Sequence, residues 1–217
     1  MFDFGRWLRK AAGGTAWLLW AALPVPVLAA PPDFTATRPS TEASSLVGWV
    51  LATRDSEDKP FAVVDKHAAR IYVFHPDGRL AGHSAALLGS TQGDHTVPGV
   101  GLRAQTGDVG VDERTTPAGR FEAQAGENDK GEHVVWVDYA SAFAIHRLRP
   151  GFSYTARASR LATQQAEDKR VSWGCVVVPV AFYREVVEPV LGSGRSVVYV
   201  MPEVSPLRAV FHALDRR

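Results

Sequence analysis

The chain has 217 residues, enough for one domain with a substantial hydrophobic core. Hydrophobic residues make up 46% of it and charged residues 22%, the composition of an ordinary globular protein. With a formal net charge of +1 and no cluster of basic residues, the sequence has no electrostatic footprint for nucleic acid, and we expect no nucleic-acid partner.

The N-terminus has the pattern of an export signal. Three basic residues in MFDFGRWLRK precede the apolar run AAGGTAWLLWAALPVPVL, and VLAA offers a cleavage site after Ala29 or Ala30. An uncleaved membrane anchor is the alternative, but two prolines and a Gly-Gly pair interrupt the run. We predict a signal peptide over residues 1–30, a polar linker over 31–39 and a domain over 40–217, exported and without a membrane span after cleavage.

The predicted elements begin with one helix and continue as strands. Ser40 or Thr41 caps a helix through LVGWVLATR, in which apolar residues recur at helical spacing. FAVVDKHAARIYVFHPDGRLAGHSAALLG predicts three strands separated by two turns. The Gly- and Pro-containing segment STQGDHTVPGVGLRAQTGDVGVDERTTPAGR follows and has no helical periodicity. We expect the helix to cover one face of the strands.

The second half is also rich in strands. RFEAQAG and HVVWVDYASAFAIHRL are strand-like and are joined through ENDKGE, and the polar excursion RPGFSYTARASRLATQQAEDKR holds at most a short helix. VSWGCVVV forms a turn or strand edge, Pro179 begins a helix through VAFYREVVE, and RSVVYVMPE is a last strand. Many short strands with two modest helices predict a β-rich α+β domain, not a parallel doubly wound sheet.

Cys175 is the single cysteine and the first candidate for a functional residue. It cannot form an intrachain disulfide, and export leads a free thiol into compartments where it is exposed to oxidation or mispairing. Two interpretations remain open: a nucleophile, or a small hydrophobic residue buried among the valines that follow it. A nucleophilic thiol needs a nearby base, and histidine is the usual one.

Two of the seven histidines are candidates for that base. His146 ends the apolar strand FAI, a rigid support whose tip can present a side chain, whereas His212 follows Cys175 in a terminal segment. The other five are interpreted as surface or half-buried residues. A single cysteine without a paired-histidine motif does not support a zinc site. Gly174 permits unusual backbone angles, so amides around Cys175 could point at a developing oxyanion.

Several segments together resemble the L,D-transpeptidases with a YkuD-type catalytic domain. RTTPAGRF, IHRL around His146, RVSWGCVVVP around Cys175 and VVYVMPE occur in the order seen in that family, and PFAVVDKHAARIYVFHPDG and ALLGS extend the resemblance over almost all of the predicted domain. The RxS-aromatic-GC form and the long insert before it are similar to a proteobacterial branch, in the Gram-negative periplasm. The resemblance implies an α+β, predominantly β fold: a mixed or antiparallel β-sandwich-like catalytic domain with a few short helices.

The resemblance also implies an activity in peptidoglycan biosynthesis, cell-wall organisation and cell shape. Cys175 matches the family's nucleophile and His146 the histidine that takes its proton. Attack on the meso-diaminopimelate carbonyl of a tetrapeptide stem would expel the terminal D-alanine. The thioester would then pass its acyl group to an amine of a neighbouring stem or a wall-anchored lipoprotein, or to water in an L,D-carboxypeptidase. No metal or organic cofactor is implied.

Four further residues are expected around the nucleophile. Ser172 and Gly174 match family positions whose backbone amides hold the oxyanion, and Trp173 can line the substrate groove. Arg170 suits the recognition of a substrate carboxylate, with a structural or solvated arginine as the alternative.

Three departures from the family pattern affect this site. Trp173 stands where S-H-G-C has a second histidine, Val177 stands where Asn or Arg is usual, and 29 positions separate His146 from Cys175, more than the family's short spacing. We expect altered rate or substrate with activity retained. The alternatives are a protein of the same fold that binds peptidoglycan without turnover, and a papain-like wall peptidase that uses Cys175 with His212. An activated Cys175 is expected to react with thiol reagents at mildly acidic pH.

Overall fold

The computed structural model describes residues 38–215, so the predicted signal peptide and most of the predicted linker lie outside the described residues. The helices in this range are α1 (Thr41–Thr53), α2 (Val100–Thr106), α3 (Tyr154–Ala162), α4 (Val180–Phe182), α5 (Glu188–Val190) and α6 (Leu207–Val210). A π-helical turn, Tyr183–Val187, joins α4 to α5. The strands are β1 (Phe61–Asp65), β2 (Arg70–Phe74), β3 (Leu80–Ala85), β4 (Leu88–Gly89), β5 (Gly119–Glu127), β6 (His133–Asp138), β7 (Phe143–Arg147), β8 (Arg170–Ser172), β9 (Val176–Val178) and β10 (Arg195–Val200).

Eight of these strands form one mixed sheet, in the order β3-β2-β1-β10-β5-β6-β7-β9. β1 and β10 pair in parallel, as do β7 and β9, and the other neighbours are antiparallel. The sheet nearly closes, because Leu87, just beyond β3, exchanges two backbone hydrogen bonds of 2.8 and 2.9 Å with Val177 of β9. β4 and β8 form a separate parallel pair. The β-rich fold with a few short helices agrees with the sequence prediction, in the form of one curled sheet.

The predicted first helix is confirmed, and its local causes are visible. Ser40 is the N-cap, with its Oγ accepting a 3.0 Å hydrogen bond from the amide of Ala43. The helix ends where Arg54 adopts a left-handed conformation with φ of 55°. The residues that α1 buries are spaced three and four apart, as one helical face requires: Ala43, Leu46, Val47 and Val50.

Apolar side chains cover both faces of the sheet. One face packs against α1, and Phe211 near the C-terminus belongs to the same cluster. The other face packs against the helical stretch from α4 to α5, through Tyr183, Val187 and Leu191. A smaller cluster lies where the sheet closes, formed by Leu87, Leu148, Leu161 and Val177, with Cys175 partly buried against it. The single thiol therefore lies at the seam of the sheet.

A buried lysine joins three distant segments beneath this seam. The Nζ of Lys66, whose side chain is fully buried, lies 2.8 Å from Asp94 Oδ1. It also donates hydrogen bonds of 2.6 Å to the carbonyl of Gly93 and 2.8 Å to that of Thr116. Glu203 lies 3.4 Å from the same ammonium. The hairpin after β1, the long loop after β4 and the segment after β10 thus meet at one charge.

Asp94 completes the network by binding backbone amides. Its carboxylate accepts hydrogen bonds of 2.8, 3.1 and 2.6 Å from the amides of Glu203, Val204 and Ser205. Burial alone would raise the pKa of this carboxyl, but the hydrogen bonds from Lys66 and from the amides of Ser205 and Glu203 hold the pKa well below its ordinary value. The negative charge of Asp94 is therefore part of the folded state at neutral pH.

Two details differ from the sequence prediction. The Gly-rich segment without helical periodicity contains α2, a seven-residue helix flanked by Gly99 and Gly107, both with positive φ. HVVWVDYASAFAIHRL forms two strands, β6 and β7, because a turn with Ala142 in a left-handed conformation divides it. The short helix expected in the polar excursion is confirmed as α3.

Between residues 38 and 215, none of the helices is long and apolar enough to cross a membrane.

We predict that Asp94→Asn lowers the free energy of unfolding by about 3–5 kcal/mol, because it leaves a buried ammonium without its closest carboxylate. The contribution of Asp94 is complete above its ordinary pKa of 3.8 and is lost as pH falls below that value, since its folded-state pKa is lower. Urea unfolding at pH 7 measures the effect. Asp58→Asn is the control, because Asp58 and Arg54 form a 3.6 Å pair with both side chains more than 70% exposed, and we expect a loss below about 1 kcal/mol. Equal losses in the two variants would contradict the prediction.

Candidate active site

The parallel pairing of β7 with β9 positions the two candidate catalytic side chains. His146 of β7 is in register with Val177 of β9, and Cys175 lies two residues before Val177. Because side chains alternate along a strand, residues two apart share a face. Cys175 and Val177 do pack in the same apolar cluster, together with Leu148, which lies two residues after His146. The structure thus brings Cys175 and His146 to one face of two adjacent strands.

The His146 ring is held in a defined state. Its Nδ1 lies 2.8 Å from the carbonyl oxygen of Arg147. A carbonyl only accepts hydrogen bonds, so Nδ1 carries the proton and Nε2 of the neutral ring has its lone pair free. Burial, together with the positive charges of Arg149 and Arg157, lowers the pKa of His146 to about 3, and the hydrogen bond to the Arg147 carbonyl opposes this only in part. With 8% of its surface exposed, His146 is a neutral, oriented proton acceptor at pH 7.

The thiol of Cys175 is also uncharged at rest. Its Sγ donates a hydrogen bond of 3.5 Å to the carbonyl of Ala142, and within residues 38–215 no hydrogen bond joins it to His146. Burial raises the pKa of the thiol above its ordinary value, although the Ala144 amide and the charges of Arg149 and Arg157 act in the opposite direction. These directions oppose the expectation of a thiol that reacts at mildly acidic pH. The resting pair is a neutral thiol beside a neutral imidazole.

Ser172 and Gly174 shape the turn that carries Cys175. The amide of Gly174 donates a 3.1 Å hydrogen bond to Ser172 Oγ, which in turn donates a 2.7 Å hydrogen bond to the carbonyl of Cys175. Thr116 fixes the turn from outside, since its Oγ1 donates a 2.8 Å hydrogen bond to the carbonyl of Gly174. Because the Gly174 amide is bonded within the turn, it does not match the oxyanion role expected from the sequence.

Gly174 is required by both conformation and space. Its φ is 125°, a region that residues with a side chain rarely adopt. A Cβ at this position would lie 2.7 Å from the carbonyl oxygen of Thr115. The motif RTTPAGRF therefore has a physical role at the site, because its backbone passes directly against the turn that bears Cys175.

Trp173 lies at the mouth of a narrow cleft that leads to the thiol. It is 46% exposed, and the guanidinium of Arg114 lies 5.0 Å from its ring centroid in a cation–π contact. The cleft volume is about 10 Å³, room for about one water molecule. The cleft is lined by Thr96, Val100, Glu113, Thr115, Pro117, Ser141, Ala142, Phe143, Trp173, Gly174 and Cys175.

Arg170 has a structural role. Its guanidinium pairs with the buried carboxylate of Glu203 and donates a 2.9 Å hydrogen bond to the carbonyl of Lys66. The expected carboxylate-binding role of Arg170 is therefore replaced by the structural alternative, because its charge is already used in the ion network.

The other sequence candidates lie apart from the cleft or have no polar role. Val177 is fully buried, and its backbone closes the sheet through Leu87. His212 is exposed, next to Phe211 in the cluster that packs on α1, and it does not line the cleft. Across residues 38–215, no group of three or more His, Cys, Asp or Glu side chains is placed to hold a metal ion.

Sequence reasoning missed three residues that act on the pair. Thr116 lies in a quoted motif, but a threonine that caps a carbonyl 58 positions away has no local signature. Arg149 and Arg157 lower the pKa of both His146 and Cys175, yet they lie in a segment interpreted as a polar excursion. The alternating Arg residues of HRLRPG were the available signal for the first of them.

The chain matches no family model, and no curated protein matches it. One similar solved structure is described as the Ldtfm–avibactam carbamoyl enzyme, with a TM-score of 0.39 and 16% sequence identity. The match covers 67% of this chain and 49% of that one, so this chain spans about half the length of the solved chain. A likeness of this size does not identify a family, and the function has to be argued from the site itself.

We predict that Gly174→Ala destabilises the protein by about 1–3 kcal/mol, because the new Cβ meets the Thr115 carbonyl and strains the backbone. The turn must shift, so the rate at which iodoacetamide labels Cys175 also changes. Gly48→Ala is the matched control: it lies within α1 with nothing within 4 Å of a new Cβ, and we expect stabilisation by about 0.5–1 kcal/mol. Thermal unfolding measures both effects: a lower Tm for Gly174→Ala together with a higher Tm for Gly48→Ala supports the geometry, and a change of the same sign in both variants would contradict it.

We predict that labelling of Cys175 by iodoacetamide accelerates with pH and reaches half its maximal rate above the ordinary thiol pKa of 9.0. Thiolate is the reactive form, and a raised pKa moves its formation to higher pH. The same protein unfolded in urea provides the control, with a midpoint near the ordinary value. A rate that is already maximal between pH 5 and pH 7 would indicate a preformed thiolate–imidazolium pair and contradict the assignment.

Proposed function

We propose that the protein is a peptidoglycan L,D-transpeptidase, exported to the periplasm of a Gram-negative envelope, with Cys175 as nucleophile and His146 as general base. The observation that carries the proposal is that the register of β7 with β9 puts the single thiol, directly before β9, on the same face as a neutral, tautomer-fixed imidazole. The ordered resemblance of the sequence segments supplies the substrate class. The N-terminal signal pattern supports export.

The first half-reaction forms a thioester. The Sγ of Cys175 attacks the carbonyl carbon of meso-diaminopimelate in a tetrapeptide stem, and its proton passes to Nε2 of His146. The tetrahedral intermediate then breaks its C–N bond, and His146 returns the proton to the nitrogen of the leaving D-alanine. Because both groups are neutral at rest, the base removes the proton as attack proceeds.

The second half-reaction transfers the acyl group. An amine of a neighbouring stem or of a wall-anchored lipoprotein attacks the thioester carbonyl and gives a proton to His146. The C–S bond breaks, and the proton returns to the sulfur. Water in place of the amine would make the protein an L,D-carboxypeptidase, with the same residues in the same roles.

The oxyanion requires a donor other than the Gly174 amide, which is bonded to Ser172. We assign this role to the amide of Cys175 itself, on the residue that carries the nucleophile. The turn geometry supports the assignment, because Thr116 and Ser172 hold the carbonyls of Gly174 and Cys175 and so fix the peptide planes on both sides. Preorganised donors of this kind need no rearrangement during the reaction.

A protein of the same fold that binds peptidoglycan without turnover is the second candidate. The raised pKa of the Cys175 thiol favours it, as does a cleft with room for about one water molecule. A stem peptide reaches the thiol only after the cleft walls separate. Binding without reaction would result if the walls stay together once the ligand is bound.

We predict that the protein incubated with tetrapeptide muropeptides releases D-alanine and forms cross-linked dimers, which mass spectrometry detects. Cys175→Ala abolishes both products, and His146→Gln lowers the rate by at least about 10²-fold, the usual contribution of a general base. His212→Ala is the control and keeps full activity, since His212 is exposed and outside the cleft.

Each other outcome identifies an alternative. Release of D-alanine without dimers indicates a carboxypeptidase. Retained binding with unchanged substrate in wild type and Cys175→Ala indicates the binding protein. Loss of activity in His212→Ala would instead support the papain-like arrangement.

A further inference from the structure

Helix α3 packs against the seam of the sheet. Its residues Ala158 and Leu161 pack in the same apolar cluster as Leu148, Val177 and the thiol of Cys175. The helix belongs to the excursion between β7 and β8, so it is inserted in the chain between the candidate base and the candidate nucleophile. Arg157 directly precedes Ala158 and lies four residues before Leu161, so it belongs to the face of α3 that packs on this cluster.

Arginines outnumber carboxylates where α3 meets the end of β7. Arg147 and Arg149 both pair with Glu132: Arg147 through a hydrogen bond to Oε1, and Arg149 with its Nε 2.8 Å from Oε2. One carboxylate thus serves two guanidinium groups. Adding Arg157 from α3 brings the local balance to three positive charges against one negative.

Arg157 has no anionic partner in the described part of the chain. Its side chain is half-buried, and its Nε is fully buried without a hydrogen-bond partner among residues 38–215. The Nε of Arg149 is likewise buried, and although it lies close to Glu132 it is not in hydrogen-bond geometry. Buried donors without acceptors are unfavourable, and guanidinium groups have a fork of donors suited to a carboxylate.

The geometry points to a carboxylate-binding site formed by Arg157 and Arg149 beside Cys175, occupied during the reaction by the terminal carboxylate of the residue that leaves. This identification of the carboxylate rests on the proposed function. In the donor stem, one carbon atom separates that carboxylate from the nitrogen of the bond to be broken. A side chain adjacent to the thiol is therefore correctly placed to hold it.

The electrostatics of the site agree with this placement. The charges of Arg149 and Arg157 act on both His146 and Cys175, lowering the pKa of each. The charge of Cys175 in turn raises the pKa of Arg157, against the larger effect of burial. A bound carboxylate satisfies the open donors and offsets the positive charge that adds to burial in lowering the pKa of His146. Substrates without the carboxylate lose both effects.

The first test requires no assumption about the enzyme's substrate. Iodoacetate and iodoacetamide alkylate the same thiol, but iodoacetate has a carboxylate where iodoacetamide has an amide. Both rates at a given pH are proportional to the fraction of Cys175 in the thiolate form, so this fraction cancels in the ratio of the two rates. We expect Arg157→Gln to lower the iodoacetate-to-iodoacetamide ratio by about tenfold, as the loss of a hydrogen bond to a charged group predicts. Arg157→Lys should lower this rate ratio less than Arg157→Gln does, because lysine keeps the positive charge but lacks the planar set of N–H donors of a guanidinium.

Arg160→Gln is the matched control. It lies on the same helix and removes the same charge, but Arg160 is exposed and its guanidinium donates to the carbonyl of Asp168. An unchanged ratio in Arg160→Gln with a lowered ratio in Arg157→Gln supports the site. Equal ratios in wild type and Arg157→Gln, with both proteins folded by thermal unfolding, would overturn it. An equal decrease of the rate ratio in Arg157→Gln and Arg160→Gln would mean that the ratio depends only on the net charge of the protein, and this result would also overturn the proposed site.

The second test uses tetrapeptide stems with a C-terminal carboxylate or carboxamide. We expect wild type to prefer the free acid in kcat/KM, and Arg157→Gln to lose about tenfold of that preference while Arg160→Gln keeps it. A preference that Arg157→Gln leaves intact would overturn the assignment to the leaving residue. If no stem reacts at all, the proposed function fails, and the alkylation ratio still decides whether the carboxylate site exists.

Discussion

The buried ammonium of Lys66 is the constraint on which the site depends. Its side chain has no access to water, so the free-energy cost of burying its charge is offset by Asp94, by two backbone carbonyls and by Glu203. One of those carbonyls belongs to Thr116, whose hydroxyl holds the turn that bears Cys175. Only two residues, Thr116 and Gly174, therefore stand between the buried charge and Cys175. A loop that reads as irregular in sequence is held in place by an ion pair and its hydrogen bonds.

The geometry and the protonation of the candidate site come from different sources. The β7–β9 ladder sets the relation between His146 and Cys175, and Leu87 pairs with the other side of β9. Burial keeps both groups neutral; the charges of Arg149 and Arg157 reinforce this effect at His146 and oppose it at Cys175. A neutral pair resists oxidation in an oxidising compartment better than a thiolate would, since the thiolate is the form that reacts. Low resting reactivity and catalytic competence are compatible when the base acts only during attack.

What could be predicted from sequence follows a physical division. The cap at Ser40 and the periodicity behind it are local, so α1 could be predicted. The lone thiol could be ranked first for similar reasons. Helix α2 could not be predicted, because a segment of seven residues between two glycines is too short to show helical periodicity. Arg170 and Arg157 could not be told apart, since an arginine has the same sequence signature whether it pairs with a buried carboxylate, as Arg170 does with Glu203, or has no anionic partner among residues 38–215, as Arg157 does.

Helix α3 is inserted in the chain between β7 and β9, the strands whose pairing aligns His146 with Cys175. Residue Leu148 still joins this pairing, since its amide donates a 2.8 Å hydrogen bond to the carbonyl of Val178. Residues 149–169 then leave the sheet and return as β8, next to the turn that leads into β9, so their length does not enter the pairing. Entropy places only a weak limit on the length of such a segment. Under the proposed function, this excursion is therefore the natural place to re-engineer the choice of leaving group while β7 and β9 are kept.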